Sequence, residues 1–350
     1  MEIGACILSI SGPTLTSNER RFLSASNPWG VILMGRSCAD KAQVQTLIRD
    51  IQDATGRQTL IFIDQEGGRV ARLKPPVWTK FPPAAVYGQL YALDNERAID
   101  ASRLGHQLLG AELADLGIHA DCAPVAELRQ LDTHDSIGDR AFSTMASAVV
   151  DLALAALEGL NASSVAGCLK HMPGQGRAKV DSHHDLPQIT ATTDELEQDF
   201  GVFAALADNA LIGMTGHVCF EAIAPDQAAT VSAGVISDII RGRIGFDGLL
   251  MTDDLGMEAL GGSLSDRGAR AIDAGCDILL HCSGFLKDET EILNEKSEVA
   301  DAAGQLSEAA ARRAEAVDAS IQPTSSFDRE TAWAEYSTLM EPVMTAGASA

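Results

Sequence analysis

The sequence has few cations for its length. It has 26 Lys and Arg residues against 49 Asp and Glu residues in 350 positions, so its formal net charge is −23 at pH 7. A surface of that sign repels the phosphates of nucleic acids and of anionic lipid headgroups. The composition therefore argues against a nucleic-acid-binding function, and we expect neither a nucleic acid nor a membrane as partner.

The cysteines lack the pattern of a disulfide framework or a zinc site. They are seven in number, no two have the CxxC spacing, and most stand in apolar runs, at positions 6, 38, 122, 168, 219, 276 and 282. An odd, scattered set of this kind is typical of buried free thiols in a reducing compartment. The sequence therefore predicts no metal centre and no other cofactor.

Long apolar runs and targeting features are also missing. Residues 1–10 are apolar but have neither a basic segment before them nor a cleavage site after them, and no apolar run approaches the length needed to span a membrane. No obvious exposed apolar stripe suggests a subunit interface. We therefore expect a cytoplasmic monomer.

Eight short apolar runs alternate with amphipathic segments along the chain. Continuous rather than alternating hydrophobicity is typical of strands that are buried on both faces of a parallel sheet. The predicted strands cover residues 5–10, 30–34, 60–64, 118–124, 165–171, 211–217, 248–253 and 277–281. The predicted helices between them cover residues 42–54, 95–116, 144–160, 194–207, 232–243 and 265–274.

Eight strands, each followed by a helix, close most simply into a (β/α)8 barrel of the TIM type. We predict one α/β domain over residues 1–321, with a helical C-terminal extension over residues 288–320 and a loosely attached tail over residues 322–350. Residues 73–89 contain four prolines and are predicted to form a long rigid loop after the third strand. Loops of that length in a compact domain usually have a function.

Polar residues stand at or just past the ends of six predicted strands. They are Asp64, Glu127, Lys170 with His171, His217, Asp253 and His281. The carboxyl ends of the strands form the active-site face of such a barrel, and a purely structural barrel needs no ring of this kind. The ring predicts a binding site for a polar ligand. Bidentate hydrogen bonding by Asp64, Arg72 and Arg140 favours a ligand rich in hydroxyl groups, that is, a sugar.

The loop over residues 170–184, KHMPGQGRAKVDSHH, is the most informative stretch of the chain. Asp181 stands two residues before His183, where its carboxylate can orient the imidazole and raise its basicity for proton transfer. Gly174 and Gly176 suggest that this loop can swing. Elsewhere, Glu66 is expected to stabilise a Gly-Gly turn through hydrogen bonds to the backbone.

Adjacent carboxylates follow the seventh predicted strand. Asp253 and Asp254 are expected to point to opposite sides of the strand, so that only one enters the barrel mouth. Periodicity alone leaves open which one does. These two aspartates, together with His171, His217 and His281, would also suit a metal-dependent hydrolase. We rank metal catalysis second, because the H-x-H pair that barrel metallohydrolases carry after the first strand is missing.

Five motifs carry a resemblance to a known family. They are DQEGGRVAR at 64–72, GDRAF at 138–142, KHMPGQG at 170–176 followed by DSH at 181–183, FDG at 246–248 and TDDLGM at 252–257. Over about residues 3–284 the sequence resembles family 3 glycoside hydrolases. It is most similar to the single-domain bacterial β-N-acetylglucosaminidases of peptidoglycan recycling. The DSH triplet separates that group from the β-glucosidases of the same family.

The resemblance implies a retaining exo-β-N-acetylglucosaminidase that acts on a small-molecule substrate, a muropeptide fragment or an amino-sugar oligosaccharide. It implies that Asp253 is the nucleophile that forms a covalent glycosyl-enzyme, with Asp254 structural. It also implies that His183 is the general acid and then the base, in a dyad with Asp181. The residues that would hold the hydroxyl groups of the sugar are Asp64, Arg72, Arg140, Lys170 and His171.

The sequence departs from the family pattern at five places. Glu127 stands at the last position of a Pro-Val-x-Asp motif, Gln175 replaces the His between the loop glycines, Met172 replaces Phe, Thr252 replaces Ser, and Met-Thr-Gly-His at 214–217 replaces Met-Pro-Ala-His. None of these changes removes a residue to which the resemblance gives a catalytic role. Besides the metal-dependent hydrolase, a non-catalytic amino-sugar-binding protein and an enzyme that transfers the glycosyl group to phosphate remain open as alternatives.

Overall fold

Eight parallel strands close into a barrel in this computed structural model, which describes residues 2–182, 185–284, 288–321 and 327–346. Their order around the barrel is β1-β8-β7-β6-β5-β4-β3-β2, and each strand pairs with its neighbours in parallel. The strands are β1 Gly4–Ser9, β2 Pro28–Leu33, β3 Leu60–Ile63, β4 Ala120–Asp121, β5 Ala166–Met172, β6 Ile212–Thr215, β7 Leu249–Asp254 and β8 Ile278–His281. The predicted (β/α)8 fold is confirmed.

The strands read as continuous apolar runs because both of their faces are buried. Every residue of β1, β2, β3 and β5 is buried. Side chains such as Ile7, Phe62, Leu169 and Leu250 are fully inaccessible to solvent. Each such side chain contributes about 1.5–3 kcal/mol relative to an exposed one. The barrel interior is therefore a packed core rather than a pore.

Ten α-helices are described. They are α1 Ser17–Ser26, α2 Lys41–Thr55, α3 Ala84–Tyr91, α4 Asn95–Leu116, α5 Ala146–Ala162, α6 Thr193–Leu206, α7 Leu264–Ala274, α8 Glu289–Ala303, α9 Glu308–Ser320 and α10 Arg329–Ala346. Residues Val235–Arg243, between β6 and β7, form a π-helix. None of the helices in the described ranges is both long and apolar enough to cross a membrane.

Helix α4 shows why several helix bounds could be predicted from sequence. The Asp94 side chain accepts a hydrogen bond from the Arg97 backbone N–H, and Gly117 ends the helix with φ of 87°. A carboxylate N-cap and a left-handed glycine at the C-terminus are the local signals that define a helix. The predicted bounds, 95–116, agree with the observed ones.

One predicted segment differs from the structure. Residues 73–89 are not one continuous loop, because α3 begins at Ala84. Residues 288–320 are helical as predicted, and Gly304, with φ of 59°, separates α8 from α9.

Residues 327–346, the described part of the predicted tail, are not loosely attached. Helix α10 packs against α3 and α4, and its Tyr336 hydroxyl lies 2.8 Å from the hydroxyl of Tyr87. The ring of Trp333 in the same helix packs against the ring of Phe81 in the proline-rich loop, with the ring centroids 5.6 Å apart. This part of the expectation is wrong, because apolar side chains on α10 cover surface that the barrel helices leave open. The domain boundary at residue 321 stays a prediction.

Candidate active site

The polar strand ends meet at a cavity of about 350 Å³ at the carboxyl-end face of the barrel. Seven of the eight site residues predicted from the sequence line it, and they are Asp64, Arg72, Arg140, Lys170, His171, Asp181 and Asp253. The eighth, His183, lies outside the described residues. The structure thus brings together groups from strands that are far apart in sequence, because all parallel strands of the barrel end at the same face.

A network of three cations and two carboxylates forms one wall of this cavity. The Lys170 Nζ lies 2.7 Å from Glu66 Oε1 and 3.5 Å from Asp64 Oδ1. Arg72 donates to Asp64 at 2.7 Å, and Arg140 donates to both oxygens of Glu66 at 2.8 Å each. The network has a net charge of +1, from three cations and two carboxylates. Its N–H donors suit the binding of hydroxyl oxygens.

The network is ionised at neutral pH. Burial by itself would raise the pKa of the carboxyl groups, but Lys170 and the arginines outweigh it, so the pKa values of Asp64 and Glu66 lie below their usual range. Burial would likewise lower the pKa of Lys170, but Glu66 and Asp64 hold that pKa above its usual value. Charged donors held in place by such pairs can orient a sugar without rearranging.

Glu66 was expected to stabilise its turn through the backbone, and that expectation is wrong. Its carboxylate forms a bidentate ion pair with Arg140 and a second pair with Lys170. The signal for this role was present in the motifs, since Glu66 stands between Asp64 and Arg72. What the sequence lacked was the position of Arg140, which approaches from the loop after β4.

His171 lies between two carboxylates. The fully buried Glu127 accepts the His171 backbone N–H at 2.9 Å and lies 3.0 Å from the ring Nδ1, while its other oxygen accepts the Gln175 N–H at 2.6 Å. On the opposite side of the ring, Nε2 faces Asp253 Oδ2 at 4.0 Å. Burial lowers the pKa of His171 to about 3 and raises the pKa of Glu127 to about 7. The imidazole is therefore neutral, and Glu127 sets its orientation.

Asp253 and Asp254 at the end of β7 differ in how many hydrogen bonds they accept. One oxygen of Asp254 accepts N–H groups of Gly256 at 2.9 Å and Cys282 at 3.0 Å and lies 3.4 Å from His281 Nδ1. Within the described ranges, Asp253 Oδ1 accepts the Asp254 N–H at 2.8 Å and no other hydrogen bond, and Oδ2 faces His171. Both residues border the cavity, so the expectation that only one enters the mouth is wrong. Among the described contacts, Asp253 is thus the less constrained of the two carboxylates.

His217 and His281 have structural partners and do not line the described cavity. His217 lies 2.7 Å from the Thr230 hydroxyl and 3.1 Å from the Asp254 carbonyl oxygen. Burial would lower the pKa of His281, but Asp254 and Glu295 raise it to about 9. His281 in turn helps to lower the pKa of Asp254 to about 2, against the effect of burial. This ion pair holds Asp254 in place beside Asp253.

The loop after β5 is anchored in its first half. A Cβ at Gly176 would lie 2.2 Å from the Leu128 carbonyl oxygen, so this glycine permits close packing rather than a hinge. Arg177 donates to Asp199 of α6 at 2.8 Å, and the Ala178 carbonyl accepts the His134 N–H at 2.8 Å. The expected swing therefore does not begin at Gly176.

Arg36 was missed in the sequence. Its guanidinium donates to Ser9 Oγ and to the carbonyl oxygens of Ile10, Cys282 and Ser283, which ties the ends of β1, β2 and β8 together. A lone arginine after an apolar run gave no signal of this role.

No group of three or more His, Cys, Asp or Glu residues within the described ranges is arranged to hold a metal ion.

Known proteins with the same barrel were found by sequence and by structure. The family described as glycosyl hydrolase family 3 N terminal domain matches residues 7–317. The β-hexosaminidase of Bordetella avium is 34% identical over 284 residues, which are 80% of this chain and 81% of the relative. The β-hexosaminidase of Chromobacterium violaceum is 37% identical over 284 residues, which are 80% and 79% of the two chains.

Solved structures agree with the sequence matches. Native NagZ from Neisseria gonorrhoeae superposes with a TM-score of 0.83 and 30% identity, covering 97% of this chain and 98% of that one. The same protein in complex with N-trifluoroacetyl-D-glucosamine gives a TM-score of 0.82 and 28% identity over 98% and 97% of the chains. The resemblance seen in the five motifs is confirmed. The chain is a glycosidase of the β-N-acetylhexosaminidase kind, similar to NagZ, and it belongs to family 3 of the glycosyl hydrolases.

Proposed function

We propose that this protein is a retaining exo-β-N-acetylglucosaminidase that releases terminal N-acetylglucosamine from muropeptide fragments in the cytoplasm. The observation that carries the proposal is the position of Asp253, which lines the same cavity as the ionised wall of Asp64, Arg72, Arg140 and Lys170 and whose Oδ2 lies 4.0 Å from the neutral imidazole of His171. The similarity to a NagZ that was solved with an N-acylglucosamine supports the choice of sugar.

In the first step, Asp253 Oδ2 attacks the anomeric carbon. A bond forms between that oxygen and the carbon while the glycosidic bond breaks, and the leaving oxygen takes a proton from His183, which Asp181 orients. The wall of ion pairs holds the ring hydroxyls and so keeps the anomeric carbon within reach of Asp253. Neutral His171 adds no positive charge beside the nucleophile, so it does not neutralise the Asp253 carboxylate.

In the second step, His183 takes a proton from water, the water oxygen bonds to the anomeric carbon, and the bond to Asp253 breaks. Two inversions at one carbon give net retention of the β configuration. An imidazole suits both roles, because its unperturbed pKa of about 6.5 lets it give and take a proton near neutral pH.

The test replaces the nucleophile by its neutral isostere. Asp253→Asn is expected to lower kcat for a p-nitrophenyl β-N-acetylglucosaminide by at least about a thousandfold, because no carboxylate remains to form the covalent intermediate. Asp208→Asn, which changes an exposed carboxylate outside the site, is the matched control and should keep wild-type kcat.

Proton NMR of the first product tests the stereochemistry. The β anomer of N-acetylglucosamine should appear before the α anomer. Activity that survives in Asp253→Asn, or an α anomer formed first, would contradict the proposed mechanism. Release of N-acetylglucosamine from a disaccharide-peptide fragment of peptidoglycan tests the proposed substrate.

A further inference from the structure

A second cavity adjoins the barrel mouth. It has a volume of about 610 Å³ and lies between the loop after β2 and the proline-rich loop after β3. It shares Met34, Arg72 and Gly284 with the mouth, so the two spaces are immediate neighbours. A substituent on a ligand in the mouth can therefore extend into it. We call this space the Lys74 groove, after a residue that lines only the second cavity.

The Lys74 groove is cationic in a protein that is strongly acidic. Arg36, Arg72 and Lys74 line it, and none of its described lining residues is Asp or Glu, although the chain has a net charge of −23. The donors of Arg36 bond to neighbouring backbone and to Ser9, and Arg72 pairs with Asp64. Lys74 is exposed, and its ammonium forms no ion pair with any residue in the described ranges. The groove thus has a cation that is available to a ligand.

Two further donors in the wall lack acceptors. The indole N–H of Trp78, a residue only 6% exposed, has no hydrogen-bond partner among the described residues, and neither does Arg72 Nε. Buried donors are nearly always paired in native proteins, so these two N–H groups need an acceptor from solution, a water or a ligand. Together with the exposed ammonium of Lys74, they are donors of the kind that pairs with the oxygens of an anion.

We propose that the Lys74 groove binds an anionic substituent, a carboxylate, phosphate or sulfate, on the glycoside whose sugar occupies the mouth. The inference rests on the proposed function, since it takes the mouth as the sugar site. Val77 and the two prolines before it give the groove an apolar side, so a carboxylate on a short apolar arm fits it as well as an anion on the sugar itself.

The experiment compares anionic substrates with neutral ones in two matched pairs. The first pair is p-nitrophenyl β-N-acetylglucosaminide with and without a 6-sulfate. The second pair is N-acetylglucosamine β-1,4-linked to N-acetylmuramic acid, which carries a carboxylate, and the same sugar linked to N-acetylglucosamine. For each pair, the ratio of kcat/KM for the anionic substrate to kcat/KM for the neutral one is measured in wild type, Lys74→Glu and Lys80→Glu.

Lys74→Glu is expected to lower this ratio by about fivefold or more in at least one pair, because charge reversal turns attraction into repulsion. Lys80→Glu alters an exposed lysine of the same loop that does not line the groove, and it should keep the wild-type ratio. An effect in the sulfate pair places the anion on the sugar, and one in the disaccharide pair places it on the leaving group. The effect should shrink as salt is added.

Equal ratios in wild type and Lys74→Glu for both pairs would overturn the proposal, as would an equal fall in Lys80→Glu. Absence of hydrolysis of the neutral aryl glycoside would instead reject the proposed function. In that event, calorimetry decides on the groove with two probes, N-acetylglucosamine 6-phosphate and N-acetylglucosamine β-1,4-linked to N-acetylmuramic acid. At least one of them should bind wild type more tightly than Lys74→Glu by about fivefold or more, and equal affinities for both would reject the groove by itself.

Discussion

At the scale of the residue, Glu127 organises the mouth without touching the reacting atoms. Its two oxygens face three donors, which are the backbone N–H groups of His171 and Gln175 and the ring Nδ1 of His171. Its position joins the end of β5 to the loop that leads to Asp181. A carboxylate with three donors around it holds both the imidazole and the loop.

Glu127→Gln tests this positioning role. The amide keeps one acceptor oxygen but places an NH2 group against a donor, which leaves a buried N–H unsatisfied. We expect the free energy of unfolding to fall by about 1–3 kcal/mol and kcat/KM for the aryl glycoside to fall by at least about tenfold. Urea titration and steady-state kinetics measure the two effects.

Glu197→Gln is the control for that substitution, because Glu197 pairs with Arg243 on the surface. It should leave kcat/KM unchanged and alter stability by less than about 1 kcal/mol. A Glu127→Gln enzyme with wild-type stability and kinetics would show that the three contacts do not position His171.

At the scale of the element, α10 supports the proline-rich loop beside the mouth. The Trp333 ring contacts the Phe81 ring of this loop. The Tyr336 hydroxyl forms a hydrogen bond with the hydroxyl of Tyr87 in α3, the helix that follows the loop. The Pro82 and Phe81 carbonyls in turn lie against Gly67, in the turn that presents Glu66. The C-terminal helix thus braces a segment that lines the Lys74 groove.

Tyr336→Ala tests how much α10 stabilises the fold. The substitution removes a buried ring and a hydroxyl pair, so we expect the free energy of unfolding to fall by about 3–5 kcal/mol. Tyr336→Phe keeps the ring but leaves the Tyr87 hydroxyl unpaired, and a loss of about 1–3 kcal/mol is expected. Urea unfolding followed by tryptophan fluorescence measures both.

Glu335→Ala is the control, because Glu335 is exposed on the same helix. We expect it to change the free energy of unfolding by less than about 0.5 kcal/mol. If Tyr336→Ala were no less stable than Glu335→Ala, the helix would not be part of the cooperative fold.

At the scale of the whole molecule, the net charge of −23 opposes compaction. Like charges spread over one surface repel each other, and salt screens this repulsion over a distance of about 10 Å at 0.1 M. The ion pairs at the mouth are buried and are screened much less. Salt should therefore stabilise the fold as a whole without weakening the site.

We expect the thermal midpoint to rise by several degrees between about 20 mM and about 0.5 M sodium chloride, as measured by differential scanning fluorimetry. Choline chloride should give a similar rise if the effect is screening rather than specific binding of sodium. A midpoint that falls with both salts would show that attractive surface pairs outweigh the net repulsion.

The sequence alone determined the barrel and several of the polar residues that meet at its mouth. Apolar runs buried on both faces identify the strands, and the caps of α4 define its bounds, because these signals are local. Asp64, Lys170, His171 and Asp253 could be assigned to one site because parallel strands of a barrel all end at one face. The five motifs indicated the glycoside hydrolase family and a glycoside as the kind of substrate.

Only the tertiary structure decided the pairings. Glu66 meets Arg140 from 74 residues away, Glu127 meets His171 from 44, and Tyr336 meets Tyr87 from 249, and no local pattern records such contacts. The same is true of the Lys74 groove, whose walls come from two loops that are separate in the chain. Periodicity and capping are properties of neighbouring residues, whereas ion pairing and cavity shape depend on which loops meet once the barrel has closed.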